Sequence, residues 1–193
     1  MIPDPGGREP APGPLRAVQL FVNTRDIERV QDELSSPGEL ARVLEEAGLG
    51  AGLRPTAADL RRALELREAL RALLLEQNGI AAAPGALEPL ERAARAGRLA
   101  ARFDGGPRLV AEAEGVAGAL GTLVAIVFTA AAEGSLARLK ACRRDVCHWV
   151  YYDRSRNHGS TWCSMAVCGN RTKVRSYRRR QKSPTSPSSS RIA

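Results

Sequence analysis

The stretch CRRDVCHWVYYDRSRNHGSTWCSMAVCGNRTKVRSYRRR, Cys142 to Arg180, decides how this chain folds. It holds all four cysteines of the 193 residues, both histidines, both tryptophans and all three tyrosines. Cys142 and Cys147 form CxxxxC, Cys163 and Cys168 repeat it, and fifteen residues separate the pairs. Each pair can supply two corners of a tetrahedron from one turn of backbone, so one zinc ion on four thiolates satisfies the pattern. Two disulfides, four unrelated buried thiols or an iron–sulfur cluster would use the same residue type, and spacing alone leaves them open. Zinc is the leading reading, because the first 141 residues contain no cysteine and all four then fall within 27. With every corner filled by protein the ion has no place for a water nucleophile and is structural.

Between the pairs, HWVYYD (148–153) is apolar and aromatic and predicts a strand that packs Trp149 and Tyr151 or Tyr152 near the metal. RSRNHGS (154–160) predicts a turn, with Ser160 to Trp162 pairing back. His148 then takes a core or surface role, and His158 a phosphate or base contact. After Cys163 the chain reads as helix, with Val174 and Tyr177 as a narrow apolar seam. Arg171, Arg175, Arg178, Arg179 and Lys182 fall within about 100° of one another on it. Residues 140–193 carry thirteen basic and two acidic side chains, whereas residues 1–139 carry 16 and 19. Solvated helix faces mix signs; an unmixed one calls for a polyanion to offset its repulsion. Nucleic acid is the favoured partner. Asn170 or Arg171 would reach base edges, while Lys173, Arg175, Arg178, Arg179 and Lys182 on the helix and Arg154, Arg156 and His158 on the turn would hold phosphates.

Upstream the chain reads as helical. LRAVQLFVNTRDIERVQDEL (15–34) has apolar residues at helical spacing and predicts one or two helices broken near Asn23 and Thr24. Ser36 as N-cap, Pro37, Glu39 and the terminator Gly48 bound the next helix. Thr56 and Asp59 start a longer one that runs to Gly79, with Leu60, Ala63, Leu64, Leu70 and Leu74 inside. Arg67 falls on that stripe; it is either salt-bridged or, with Phe21 and Asn23, part of a ligand pocket between helices. A short helix follows around Leu87 to Ala96. LAARFDGGPRLVAEAE then switches to period two and predicts a β-hairpin about DGGP, with Leu99, Ala101 and Phe103 on one side. Residues 115–132 contain no charge and approach the length of a membrane span. Their glycines and alanines favour a buried bundle helix of about residues 116–139 leading into Cys142.

WCSMAVCGNR resembles the signature of the CGNR zinc finger, whose tetrad is here Cys168, Gly169, Asn170 and Arg171. LFVNTRD (Leu20 to Asp26), the DLRRALELREALRALL helix and the hairpin resemble the ABATE domain that precedes this finger in bacterial proteins described as stress-induced transcription regulators. The chain departs from the family pattern at Gln19 and Leu20, and at Ser160 and Thr161, where arginines are common before the Trp-Cys pair. The resemblance implies one zinc on Cys142, Cys147, Cys163 and Cys168 and a DNA-binding finger tied to an α-rich, ligand-sensing domain.

The resulting expectation is a mainly α N-terminal domain with a β-hairpin (15–139) and a small β-hairpin/α zinc finger (140–182). A disordered lead-in (1–14) and tail (183–193) flank them. The lead-in has no secretory pattern, so a cytoplasmic protein without a membrane partner is expected. Without histidine, cysteine, phosphate loop or GxSxG, the first domain shows no catalytic signature, and no enzyme is expected. It is expected to bind a small-molecule ligand or form a homodimer. A DNA-binding regulator is the leading function, and an RNA-binding or protein-interaction zinc module the alternative.

Overall fold

The computed structural model describes residues 7–175 and places them in a helix-rich assembly with small antiparallel hairpins. Helix α1 (Leu15–Val22) buries Leu15, Val18, Phe21 and Val22 and ends at Asn23. Beyond the break the chain makes no second helix but a tight hairpin, β1 (Arg25–Asp26) against β2 (Gln31–Asp32). Two aspartates settle this local contest. Asp26 accepts the Arg29 backbone N–H at 3.0 Å and Asp32 that of Leu34 at 2.9 Å, turns that offer the backbone an alternative to helical bonding. Val30, one of the apolar residues at helical spacing in 15–34, is 91% exposed at the hairpin tip.

The helices with explicit caps start where expected. Ser36 Oγ accepts from Glu39 N at the head of α2 (Pro37–Glu46). Thr56 and Asp59 close a reciprocal capping box on α3 (Ala57–Glu76), at 3.2 and 2.8 Å. After α4 (Glu88–Ala96), β3 (Leu99–Arg102) pairs with β4 (Arg108–Ala111), Leu99 opposite Ala111. Phe103, the last of the apolar positions before DGGP, is 75% exposed.

The charge-free segment is α5 (Gly115–Ala132), with a mean hydropathy of 2.0. By length and composition it could cross a membrane; here it packs on α4, β4 and α1. Gly121 permits that approach, since a Cβ there would come within 2.8 Å of Gly97 Cα. The helix does not continue to residue 139. Gly134 turns the chain at φ +77°, a 3₁₀ turn spans Ser135–Arg138, and β5 (Leu139–Ala141) pairs with β6 (Val150–Tyr152). The chain thus enters the cysteine region along a strand.

The main core joins Phe21, Leu40, Leu44, Leu70, Leu74 and Leu123 with Leu139, Ala141 and Val150, so it runs across the 139/140 division. A second cluster contains the four cysteines, Trp149 and Tyr151. Residues 7–14 are not a free lead-in. Ala11 is buried and donates its N–H to Gln19 Oε1 at 2.8 Å. Arg8 donates to the carbonyls of Trp162 and Cys163 and lies 4.6 Å over the Tyr151 ring, a cation–π contact that ties the segment down.

Candidate metal centre and nucleic-acid interface

Local geometry turns each cysteine toward one point. The Cys142 N–H donates to Trp149 O at 3.0 Å, prolonging the β5–β6 ladder, and the Cys147 N–H closes a turn on Arg144 O at 2.8 Å. His148, at φ +49°, redirects the chain into β6. Cys163 precedes a π-helical turn (Met165–Gly169) capped by Ser164, whose carbonyl accepts from both Cys168 N and Gly169 N. Gly169 leaves room for the Met165 thioether and for the Trp162 ring, the latter 3.2 Å from where a Cβ would stand.

The four buried sulfurs lie within 4.8 Å of one another, with Cys163 Sγ 3.7 Å from Cys147 Sγ and 3.6 Å from Cys168 Sγ. Zn–S bonds of about 2.3 Å in a tetrahedron require S···S edges of about 3.8 Å, so the cage has the size for one zinc ion. Hydrogen bonds from Cys147 and Cys163 hold the Cys142 thiol well down, and the bond to Cys142 pushes Cys147 and Cys163 up. Thiols this close can share one negative charge; ionising all four calls for a cation. Neither histidine belongs to the cluster.

Helix α3 supports the cage through polar residues on its inner face. Asn78, just past its end, donates to Ala141 O at 2.8 Å and Thr161 O at 3.0 Å, one residue before Cys142 and two before Cys163. Arg71, 3% exposed, donates to His148 O at 3.0 Å and Val22 O at 2.8 Å. Asn23 pairs with Val150 as a strand neighbour would, Nδ2 to O and N to Oδ1, both at 2.8 Å. These residues join the helical domain to the cysteines, and sequence reasoning missed Arg71 and Asn78. The available signal was their spacing, one and three turns beyond Arg67 on the same face.

The expected ligand pocket of Phe21, Asn23 and Arg67 is not formed. Phe21 is fully buried in the core and Asn23 is spent on Val150. Arg67 makes a bidentate pair with Asp32 at 2.6 and 2.8 Å and a further bond to Thr24 Oγ1 at 3.2 Å. A guanidinium without solvent must be paired, and β2 supplies the partner. A cavity of about 550 Å³ opens elsewhere, between residues 12–15, β4, α5 and Tyr152. Its wall is mainly apolar, with Thr122, Thr129, Glu133 and Ser135 among its polar groups.

The basic candidates divide between two places. Arg154, Arg156 and His158 are exposed on the turn after β6. Asp153 organises that turn, accepting from Lys140 Nζ, Ser155 N and Ser160 N, each at 3.0 Å. Burial works against its charge, but the Ser155 and Lys140 hydrogen bonds hold the carboxyl down at about 2. Arg154 pairs with Glu9 at 3.1 Å. Asn170, Arg171, Lys173 and Arg175 are exposed on the helix of residues 170–175. Arg171 and Arg175 face Arg143 and Arg144 across a groove of about 320 Å³ that also exposes Trp162, Thr172 and Asp145. Arg143 and Arg144 were not among the expected contacts. Tyr177, Arg178, Arg179 and Lys182 lie outside the described residues.

The fold and cage define a structural four-cysteine zinc finger joined to an α-rich domain. The CGNR zinc finger model matches residues 138–181, and the ABATE model, "Putative stress-induced transcription regulator", matches residues 15–141. The chain belongs to the ABATE family and carries a CGNR zinc finger. No curated protein matches the sequence.

Proposed function

We propose that this protein is a cytoplasmic transcription regulator, without enzymatic activity, that binds DNA through the zinc-organised module. The supporting observation is the groove in which Arg143, Arg144, Arg171 and Arg175 face one another beside a metal cage. Guanidinia held by a rigid frame bind phosphate oxygens at low entropic cost. Binding to duplex DNA is expected to weaken steeply with salt, with a log–log slope of about −3 or steeper if four arginines neutralise phosphates. A flat dependence overturns the proposal.

A second reading, RNA or single-stranded nucleic acid, draws on Trp162, whose indole lines the same groove and offers a stacking face for an unpaired base. Single-stranded RNA outcompeting duplex DNA would favour it. The cavity by α5 supports small-molecule sensing by the helical domain, since its wall includes both the entry to α1 and Tyr152 of β6. A ligand there would touch the segment carrying Arg8 and the strand leading from the cage. The homodimer proposal rests on Phe103 and Phe128, exposed side by side in one groove; a monomeric mass by light scattering at micromolar concentration would remove it.

A further inference from the structure

The β1–β2 turn of the helical domain reaches the basic groove with one side chain. Glu28 Oε2 accepts from Arg144 at 2.8 Å and Glu28 Oε1 from Arg171 at 2.6 Å. The two arginines come from different segments, the Cys142–Cys147 loop and the helix after Cys168. Each oxygen of one carboxylate therefore satisfies a different guanidinium, as two oxygens of a phosphate would. Both arginines also line the groove with Arg143 and Arg175. The hairpin presenting Glu28 is well anchored: Asp32 is held by Arg67, Glu33 N donates to Thr24 O at 2.8 Å, and Asp26 pairs with Arg29 at 3.0 Å. The acid is thus delivered by the upstream domain to a fixed place on the module.

We propose that Arg144 and Arg171 form an anion seat for a phosphate group and that Glu28 is its built-in competitor, occupying the seat until a phosphate displaces it. For DNA as the source of that phosphate, the inference rests on the DNA-binding function proposed above; the seat itself does not. The helical domain then sets the module's affinity through one side chain held at the seat. Arg171 is exposed and Arg144 partly covered, and an ion pair at such a surface contributes about 1 kcal/mol or less, so a polyanion can displace this contact yet still feel its cost.

The test uses the full zinc-loaded chain and its variants Glu28→Gln, Glu28→Ala, Glu28→Gln/Arg171→Gln and Glu91→Gln. The last removes an equal charge from the ion pair with Arg95 on α4. Affinity is measured by fluorescence anisotropy with labelled duplex DNA and by calorimetry with inorganic pyrophosphate, zinc content and melting temperature serving as checks on folding. Both Glu28 single variants should bind DNA and pyrophosphate about three- to tenfold more tightly than the wild type, from release of two surface ion pairs. Glu91→Gln should shift affinity by less than about 1.5-fold, and adding Arg171→Gln should erase the gain. Folded Glu28 variants that bind both ligands no more tightly than Glu91→Gln overturn the seat, even where wild-type DNA binding is steeply salt-dependent and that function stands. Tighter pyrophosphate binding without DNA binding upholds the seat, assigns it to a free phosphate compound and removes the DNA-binding proposal.

Discussion

Asn78 holds both arms of the cysteine cage with one amide nitrogen, donating to Ala141 O and Thr161 O. Asn78→Ala should cost about 1–3 kcal/mol, because the buried Ala141 carbonyl loses its side-chain donor and Thr161 O keeps only the Arg143 N–H. Asn78→Asp should cost more, since it sets a carboxylate against two carbonyl oxygens; urea denaturation of the zinc-loaded chain would show the order. Asp153 carries a pH dependence. Its carboxyl lies at about 2 when folded, below its ordinary 3.8, so its contribution is full above about pH 4 and lost as pH falls toward about 2. Asp153→Asn also strands the buried Lys140 and should cost about 2–4 kcal/mol at pH 7. The gap to the wild type should close through that acid window, zinc loss lowering both proteins alike. At this scale the cysteines were legible, because four thiols crowded into 27 residues have few structural explanations. Asn78, Arg71 and Glu28 were not, because a polar side chain on a helix or turn looks solvated until its partner arrives. The partners of Asn78 lie 63 and 83 residues away.

Among the elements, α5 shows packing overriding propensity. In an exposed helix Gly→Ala gains about 1 kcal/mol. Gly118 instead lies directly against the Ala113 carbonyl, where a Cβ has no room. Gly118→Ala should therefore destabilise the protein by about 1–3 kcal/mol, net of the propensity gain; a raised melting temperature would show that the turn entering α5 is built otherwise. Helices α2 and α3 could be placed from sequence because cap chemistry acts within four residues, as the Thr56–Asp59 box does. The β1–β2 hairpin and the end of α5 could not. In the first, aspartate side chains outcompete a helical apolar pattern; in the second, Gly134 ends the helix and pairing with β6 claims the next residues as strand.

Across the whole molecule, the cysteine module and helical domain share a core through Leu139, Ala141 and Val150, with Arg71, Asn23 and Asn78 bonding across the join. Chelating zinc should then weaken more than the finger. The chain is expected to unfold in one cooperative step at a lower temperature, with amide exchange accelerated at β5, β6 and the C-terminal end of α3. Two separate transitions, the upstream one unmoved by chelator, would show independent folding. The amino-acid sequence by itself determined the four-thiolate centre, the capped helices and the segregation of positive charge, because each depends on residue chemistry over short spacing. Tertiary structure alone decided where each cation is spent. Arg67 and Arg71 are buried on protein acceptors, while Arg144 and Arg171 share the surface carboxylate of Glu28 at a groove that Arg143 and Arg175 also line. A guanidinium's role follows from the nearest acceptor and the water left around it, and both depend on how distant segments meet.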